Sequence, residues 1–464
     1  MSTIWPDSLP KSNGPKYTLV ADTIRKSIAN GVLQSGAKLP PVRELAFQLS
    51  ITPGTVARAY TILTDEGLLE AVVGRGTFVA DPRKPVPDDI WAREVESAGQ
   101  GTVRLFSPLL PDVGQVAAIR AALKIVAEGP AEDFLNYPSR TTYCPARQAV
   151  VEWLSDVPLG RLEEQDIVLS HGGQNAISLV FQAVLHGPKP VILIEDLSYA
   201  GFRRAAEILR ADTIGLPMDE HGVIPEALDA AARQHKAQVF CTSPEVQNPT
   251  ACHTPLDRRE ALVRVARKHD MQILEDDCYR MGAVRAPSYR ALCPDRGWHV
   301  SSISKTLTPA LRVGFAIAPR GRGGDLRRVA EYGFFGLARP LAEVTRLLLS
   351  DPKNRVLGAR VRDVVAEYVM ITVNALGGFD LSWHRDVPFI WLRLPAGWRA
   401  AAFCRAAEAR GIQIRSADEF ALRDGRAPHA VRIAINARVP KPIYEDAMQQ
   451  LRALLDSPPD QINV

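Results

Sequence analysis

The chain has 464 residues, of which 46% are hydrophobic and 23% are charged, with a formal net charge of +4. This composition is typical of a globular protein of two or three domains, and so small a charge does not by itself indicate a nucleic-acid partner. No apolar run approaches the roughly 20 residues of a membrane span, and residues 1–6 do not resemble a signal peptide. The six cysteines lack CxxC spacing. They therefore favour reduced thiols in a cytoplasm and argue against a metal site.

Three helices followed by a β-hairpin are predicted in residues 11–80. Apolar residues at helical spacing predict a first helix over 17–30 and two further helices with Pro41 and Pro53 in their first turns. Two short strands then flank the turn Gly74-Arg75-Gly76. This order is typical of a winged helix-turn-helix, so the segment is predicted to bind DNA. A winged helix that binds another protein stays open as the alternative.

The motifs of this segment resemble the GntR family of bacterial regulators. The resemblance rests on GAKLPPVRELA from residue 36, TVARAY from residue 55 and GRGTFV from residue 74. It implies that the third helix enters the major groove and that the wing contacts a phosphate or the minor groove. The implied DNA contacts are Arg43, Thr52, Thr55, Arg58 and Arg75.

Residues 81–104 are predicted to form a linker. Residues 81–89 are rich in proline and charge, and no periodic pattern follows until about residue 103. Proline makes such a segment semi-extended, and domain boundaries fall in segments of this kind. The two domains are therefore expected to span residues 11–80 and 105–464.

Apolar β-type runs alternate with amphipathic helices from residue 105 onward. This alternation predicts an α/β domain with a mostly parallel sheet. In such a domain the ligand-binding groups gather on loops at the carboxyl ends of the strands.

Lys305 lies in a loop of small residues between two predicted strands. Among hydroxyls and apolar neighbours a lysine loses its proton more readily than in water, and a neutral amine forms a Schiff base with an aldehyde. Ser302, Ser304 and Arg312 supply donors and a positive charge that suit a phosphate. The loop is therefore predicted to bind pyridoxal 5′-phosphate (PLP), an aldehyde that carries a phosphate.

Four other loops carry groups that suit the same cofactor. The glycine turn before Gly173 opens a helix, where a phosphate binds readily. Asp276, within three consecutive acids, suits the pyridine nitrogen. Tyr199 suits stacking on a flat ring, or is a core tyrosine. Asn248 suits a ring hydroxyl, or belongs to an ordinary Asn-Pro turn.

In order and spacing these loops resemble the fold-type I, aspartate-aminotransferase-like PLP enzymes. The resemblance implies a large parallel-sheet domain and a smaller C-terminal α+β part. It implies these cofactor contacts: Lys305 as the Schiff-base lysine, Asp276 at the pyridine nitrogen, Asn248 and Tyr279 at the ring hydroxyl, Tyr199 stacked on the ring, and Gly173, Gln174, Ser302, Ser304 and Arg312 at the phosphate. Arg432, in the run Val431-Arg432-Ile433-Ala434, is implied to bind a substrate carboxylate, with a structural salt bridge as the alternative.

A GntR-type module joined to an aminotransferase-like domain resembles the MocR/GabR subfamily of regulators. The resemblance implies a head-to-tail homodimer that binds operator DNA and senses an amino acid or amine through exchange at the Lys305 Schiff base. Two other functions stay open. One is a working PLP-dependent aminotransferase with an accessory DNA-binding arm, and the other is a regulator that has lost PLP.

Overall fold

The computed structural model describes residues 16–65, 68–72, 76–80, 101–422, 425 and 427–458. The chain divides into an N-terminal unit, Met1–Gln100, and a C-terminal unit, Gly101–Val464. Arg75 and most of the predicted linker, residues 81–100, lie outside the described residues. Within the part that is described, no helix is long and apolar enough to cross a membrane.

The N-terminal unit contains three helices and a hairpin, as its sequence predicts. They are α1 (Lys16–Ala29), α2 (Val42–Gln48), α3 (Pro53–Asp65), β1 (Leu69–Val72) and β2 (Gly76–Val79). The strands are antiparallel and form a wing. Helices and wing share a core that includes the buried Ile24, Leu45 and Leu63. One boundary differs from the prediction, because Pro41 has an extended backbone and precedes α2 as its N-cap.

The C-terminal unit is a three-layered α/β structure with a smaller antiparallel part. Its described helices are α4 (Gln115–Ala127), α5 (Glu132–Leu135), α6 (Cys144–Trp153), α7 (Gly173–Val184), α8 (Ala200–Ile208), α9 (Pro225–His235), α10 (Leu256–Lys268), α11 (Tyr289–Leu292), α12 (Gly323–Phe334), α13 (Arg339–Ser350), α14 (Pro352–Leu376), α15 (Ala400–Glu408) and α16 (Lys441–Asp456). Its described strands are β3 (Val103–Arg104), β4 (Ile167–Ser170), β5 (Val191–Glu195), β6 (Asp212–Leu216), β7 (Met218–Asp219), β8 (Gly222–Val223), β9 (Val239–Thr242), β10 (Gln272–Asp276), β11 (Gly297–Ser302), β12 (Gly314–Ile317), β13 (Asp380–Ser382), β14 (Phe389–Arg393), β15 (Ile412–Gln413), β16 (Arg415–Ser416) and β17 (Ala430–Ala434).

The large sheet has the strand order β4-β12-β11-β10-β9-β5-β6, and only β12 runs antiparallel to its neighbours. The sheet is thus mostly parallel, as predicted. Alternate residues of each strand face opposite helix layers. For example, Leu274 packs with residues of α7 and Ile273 packs with residues of α10. The loops that carry the predicted site leave the carboxyl ends of the parallel strands, and this topology brings them together.

The smaller part is a four-stranded antiparallel sheet in the order β13-β14-β17-β16. Helices α14 and α16 cover it, and their buried side chains form one core with those of the sheet. Strand β17 carries Arg432, and β16 places Arg415 directly opposite it.

Candidate cofactor and DNA-binding sites

Lys305 lies in the loop between β11 and β12 and is half-buried. Its Nζ is 5.2 Å from the centroid of the Tyr279 ring, which follows the neighbouring strand β10. Burial alone raises the pKa of Tyr279, but the positive charges of Lys305, Arg432 and Arg415 outweigh burial, so this pKa is lower than that of an ordinary tyrosine. An amine and an easily ionised phenol therefore lie side by side at the sheet edge.

Asp276 ends β10 and is only 6% exposed. Its Oδ1 accepts a hydrogen bond from the backbone N–H of Cys278 over 3.0 Å. Burial raises the pKa of Asp276, and hydrogen bonds from Cys278 offset part of that increase. A buried carboxylate of this kind is stabilised by a cationic partner, such as a protonated ring nitrogen.

Asn248 is 2% exposed and precedes a cis peptide bond to Pro249. Its Oδ1 accepts a hydrogen bond from Nη1 of Arg432, at 2.5 Å. Its Nδ2 is buried and has no hydrogen-bond partner in the described part of the chain. Buried donors are rarely left unpaired, because the unpaired group costs about 1–3 kcal/mol. This unused donor fits the role implied for Asn248 at the ring hydroxyl.

Arg432 is 3% exposed and lies between two aromatic rings, 5.3 Å from the Phe389 centroid and 4.8 Å from the Phe420 centroid. Its Nη2 donates to the carbonyl of Phe106, and its Nε has no hydrogen-bond partner among the described residues. The salt bridge considered as an alternative for this arginine is absent among those same residues. The Nε of Arg432 thus keeps an unused N–H donor, which suits an incoming carboxylate.

Arg415 adds a second guanidinium beside Arg432, and it was not among the residues predicted from the sequence. Its Nε donates to the same Phe106 carbonyl over 2.7 Å, and its Nη1 pairs with Glu419. Because β16 is only two residues long, it has no periodic pattern that marks it as a strand. Only its pairing with β17 reveals that Arg415 lies in this site.

Three of the residues predicted to hold the phosphate, Gly173, Gln174 and Arg312, meet at the N-terminus of α7. Gly172 has a φ of +81°, and a Cβ there would lie 2.8 Å from Nη2 of Arg312. A Cβ on Gly173 would lie 2.5 Å from Sγ of Cys278. At Gly172 the positive φ disfavours any residue with a side chain, and at Gly173 a Cβ would collide with Cys278. The result is a close-packed helix N-terminus beside an arginine, which suits an anion.

The remaining predicted cofactor contacts differ in whether their polar groups already make hydrogen bonds within the protein. Ser302 and Ser304 are both buried, and the Ser304 N–H lies 3.4 Å from the Ser302 hydroxyl. The Gln174 amide already donates to the carbonyl of Gly201 over 2.9 Å. Burial, followed by the charges of Tyr279 and Asp276, raises the pKa of Tyr199, so its ring lies near those two groups. The hypothesis of a stacking ring and that of a core tyrosine both fit this position.

In the N-terminal unit, Arg43 on α2 and Arg58 on α3 are exposed. The Arg58 guanidinium lies 4.3 Å from the centroid of the Tyr17 ring, which restricts its direction. At the start of α3 the hydroxyls of Thr52 and Thr55 are 2.9 Å apart. The predicted contact Arg75 lies outside the described residues, so four of the five predicted DNA contacts have a described position.

Two family descriptions match the chain. "Bacterial regulatory proteins, gntR family" matches residues 16–79, and "Aminotransferase class I and II" matches residues 110–451, which is more than half of the chain. The chain belongs to the class I and II aminotransferase family. Its aminotransferase domain follows a GntR module, which confirms the resemblance to the MocR/GabR subfamily.

Similar proteins share both domains or the fold. The "Uncharacterized HTH-type transcriptional regulator YdeF" of Bacillus subtilis is 26% identical over 97% of each chain. The "HTH-type pyridoxine biosynthesis transcriptional regulator PdxR" of Corynebacterium glutamicum is 30% identical over 72% of each chain. The crystal structure of an archaeal alanine:glyoxylate aminotransferase superposes with a TM-score of 0.69 at 21% identity, covering 79% of this chain and 93% of that one. The fold-type I prediction is confirmed, and the domain composition is that of HTH-type transcriptional regulators.

Proposed function

We propose that this protein is a PLP-dependent transcription regulator that binds operator DNA through its GntR module and senses an amino acid or amine at Lys305. The observation that carries the proposal is the convergence at one sheet edge of three groups that suit one cofactor. They are the Lys305 amine beside Tyr279, the buried Asp276 carboxylate and the unpaired Nδ2 of Asn248.

When bound, PLP supplies an aldehyde and an electron-withdrawing ring. Lys305 would be the amine that bonds to the aldehyde, and Asp276 would hold the proton of the ring nitrogen. Asn248 would donate from its unused Nδ2 to the ring oxygen, and Tyr279 would bond the same oxygen. The other contacts are Tyr199 against the ring and Gly173, Gln174, Ser302, Ser304 and Arg312 around the phosphate.

An amine effector competes with Lys305 for the same carbon. If the effector bonded there, Lys305 would be freed as an amine, and Tyr279, with its lowered pKa, would be the neighbouring group suited to accept the proton that the incoming ammonium group loses. Arg432 offers its unpaired Nε to the carboxylate of an amino acid. Arg415 increases the positive charge on that side of the site.

If Lys305 were freed in this way, the loop between β11 and β12 would lose a covalent tether. A ligand that binds one conformation more tightly shifts the population toward it. If the two conformations differ in the separation of DNA modules within a dimer, they differ in which operator half-sites they bind together. By linkage, the effector then changes affinity for DNA, and DNA changes affinity for the effector by the same factor.

We also propose a head-to-tail homodimer in the cytoplasm, where a regulator meets its operator. Leu135, Tyr137, Tyr332 and Phe335 are each more than three-quarters exposed. The rings of Tyr137 and Phe335 are 6.5 Å apart, so the exposed apolar groups include a local patch. Patches of this type mark protein interfaces. Replacing Tyr137 and Phe335 with serine is expected to shift the sedimentation coefficient from dimer to monomer, and an unchanged coefficient argues against this interface.

An absorbance titration of the PLP-loaded protein with a panel of amino acids and amines tests the proposed function. The expected result is a change in the Schiff-base absorbance band at about 420 nm, together with a change in operator affinity. Multiple turnover should not occur when an α-keto acid is added. Rapid turnover points instead to a working aminotransferase. Absence of the band with added PLP points to a regulator that has lost the cofactor.

A further inference from the structure

The end of β10 and the position directly after it carry three consecutive buried carboxylates, on Glu275, Asp276 and Asp277. Because side chains alternate along a strand, Glu275 and Asp277 lie on the face opposite Asp276. Three buried carboxylates require positive charge nearby, since an unpaired buried charge is very costly. Arg280 supplies one such charge, with its Nε 2.7 Å from Oδ2 of Asp277.

His299 lies between two of these carboxylates, those of Glu275 and Asp277. It is on β11, directly opposite Glu275, and is fully buried. Its Nδ1 is 3.7 Å from Oε2 of Glu275, and its Nε2 is 3.8 Å from Oδ2 of Asp277. Both distances are longer than a hydrogen bond, and neither ring nitrogen has a hydrogen-bond partner among the described residues. Each ring nitrogen thus faces a carboxylate oxygen, and only the protonated imidazole carries a hydrogen on both nitrogens.

We propose that His299 is a positioning residue for the cofactor: its imidazolium, together with Arg280, offsets the charges of Glu275 and Asp277 behind the strand and thereby keeps Asp276 ionised at the pyridine nitrogen. This inference rests on the proposed function. Burial raises the pKa of Asp276, Asp277 raises it further, and His299 lowers it. Loss of the imidazolium would leave Asp276 beside less positive charge and would favour its neutral form.

Other charged groups near His299 do not replace it. Arg280 forms an ion pair with Asp277. Arg259 forms an ion pair with Glu245 at 2.6 Å and affects Glu275 only through its charge at longer range. The Tyr289 hydroxyl is buried without a hydrogen-bond partner in the described residues and carries no positive charge. His299 is therefore the group that faces Glu275 and Asp277 at once.

The test is the affinity of His299→Gln for two cofactors. One is PLP, and the other is its 1-deaza analogue, in which carbon replaces the ring nitrogen. Because His299 acts through Asp276 on that nitrogen, we expect the variant to bind PLP about tenfold more weakly, the equivalent of one pKa unit, and to bind the analogue as the wild type does. His221→Gln, at an exposed histidine, is the matched control and should bind both cofactors normally.

A charge-compensating variant separates this function from a packing role. The double variant His299→Gln/Glu275→Gln removes one positive and one negative charge, so its PLP affinity should return to within about threefold of wild type. This variant also provides the test if the single variant fails to fold in thermal unfolding. Equal loss for both cofactors, normal PLP binding by His299→Gln, or no recovery in the double variant overturns the inference. A wild-type protein that forms no band with PLP refutes instead the proposed function.

Discussion

Replacing Arg432 with glutamine tests how the site recognises an effector. Two nitrogens of the guanidinium are committed, to Asn248 and to the Phe106 carbonyl, and the third, Nε, is buried and unpaired. A carboxylate therefore gains one charge-assisted hydrogen bond directly, which contributes about 1.5–3 kcal/mol. Loss of that bond corresponds to roughly 10- to 150-fold weaker binding.

The assay compares an amino acid with the amine that remains after its carboxylate is removed, each titrated against the absorbance of the PLP-loaded protein. The variant should bind the amino acid roughly 10- to 150-fold more weakly, while its affinity for the amine should change by about threefold or less. Arg393→Gln is the control, because Arg393 lies on the neighbouring strand β14 and forms an exposed pair with Asp380.

Two results would refute this reasoning. If affinity for amino acid and amine falls equally, Arg432 acts by holding Asn248 and the Phe106 carbonyl and does not contact the effector carboxylate. If neither affinity changes, the effector binds without the guanidinium.

Three further predictions follow from single side chains. Lys305→Ala should abolish the Schiff-base band at about 420 nm while the cofactor-free protein keeps its melting temperature. A surviving band would assign the Schiff base to another lysine. Arg58→Ala should weaken operator binding and reduce its salt slope by about 1 with no change in absorbance, and normal operator binding would place the recognition surface elsewhere. Burial raises the pKa of Glu195 from 4.5 to about 7. At a pH between these two values, the folded chain therefore keeps a proton on this carboxyl that the unfolded chain has lost. Stability should therefore fall by roughly 3 kcal/mol as pH rises through this window, and denaturant unfolding should show that Glu195→Gln removes this slope. An identical slope in the variant would contradict the assignment.

The motifs that carry local chemistry could be predicted from the sequence. The order of helices and strands in the N-terminal unit follows from apolar spacing and from prolines at helix starts, and Pro41 differs by one position because helix ends are the least determined part of such a pattern. In the C-terminal unit, Lys305 and Asp276 are recognisable because a polar group directly after a strand of a parallel sheet lies at the ligand-binding edge.

Contacts between distant segments could not be predicted in the same way. Arg415 reaches Arg432 through a two-residue strand, and the hydrogen bond between Arg432 and Asn248 spans 184 residues. The three acids after Leu274 predict a need for compensating charge, but their sequence does not indicate that His299 on the next strand supplies it.

The amino-acid sequence by itself determined the two domain types and the residues that suit a phosphate-bearing aldehyde, because periodicity and loop chemistry are properties of neighbouring residues. The tertiary structure decided which donors remain unpaired, on Asn248 and Arg432, and which charges compensate the acids of β10. Hydrogen bonding and electrostatic interaction depend on distance in space, and strand pairing sets that distance for residues far apart in the chain.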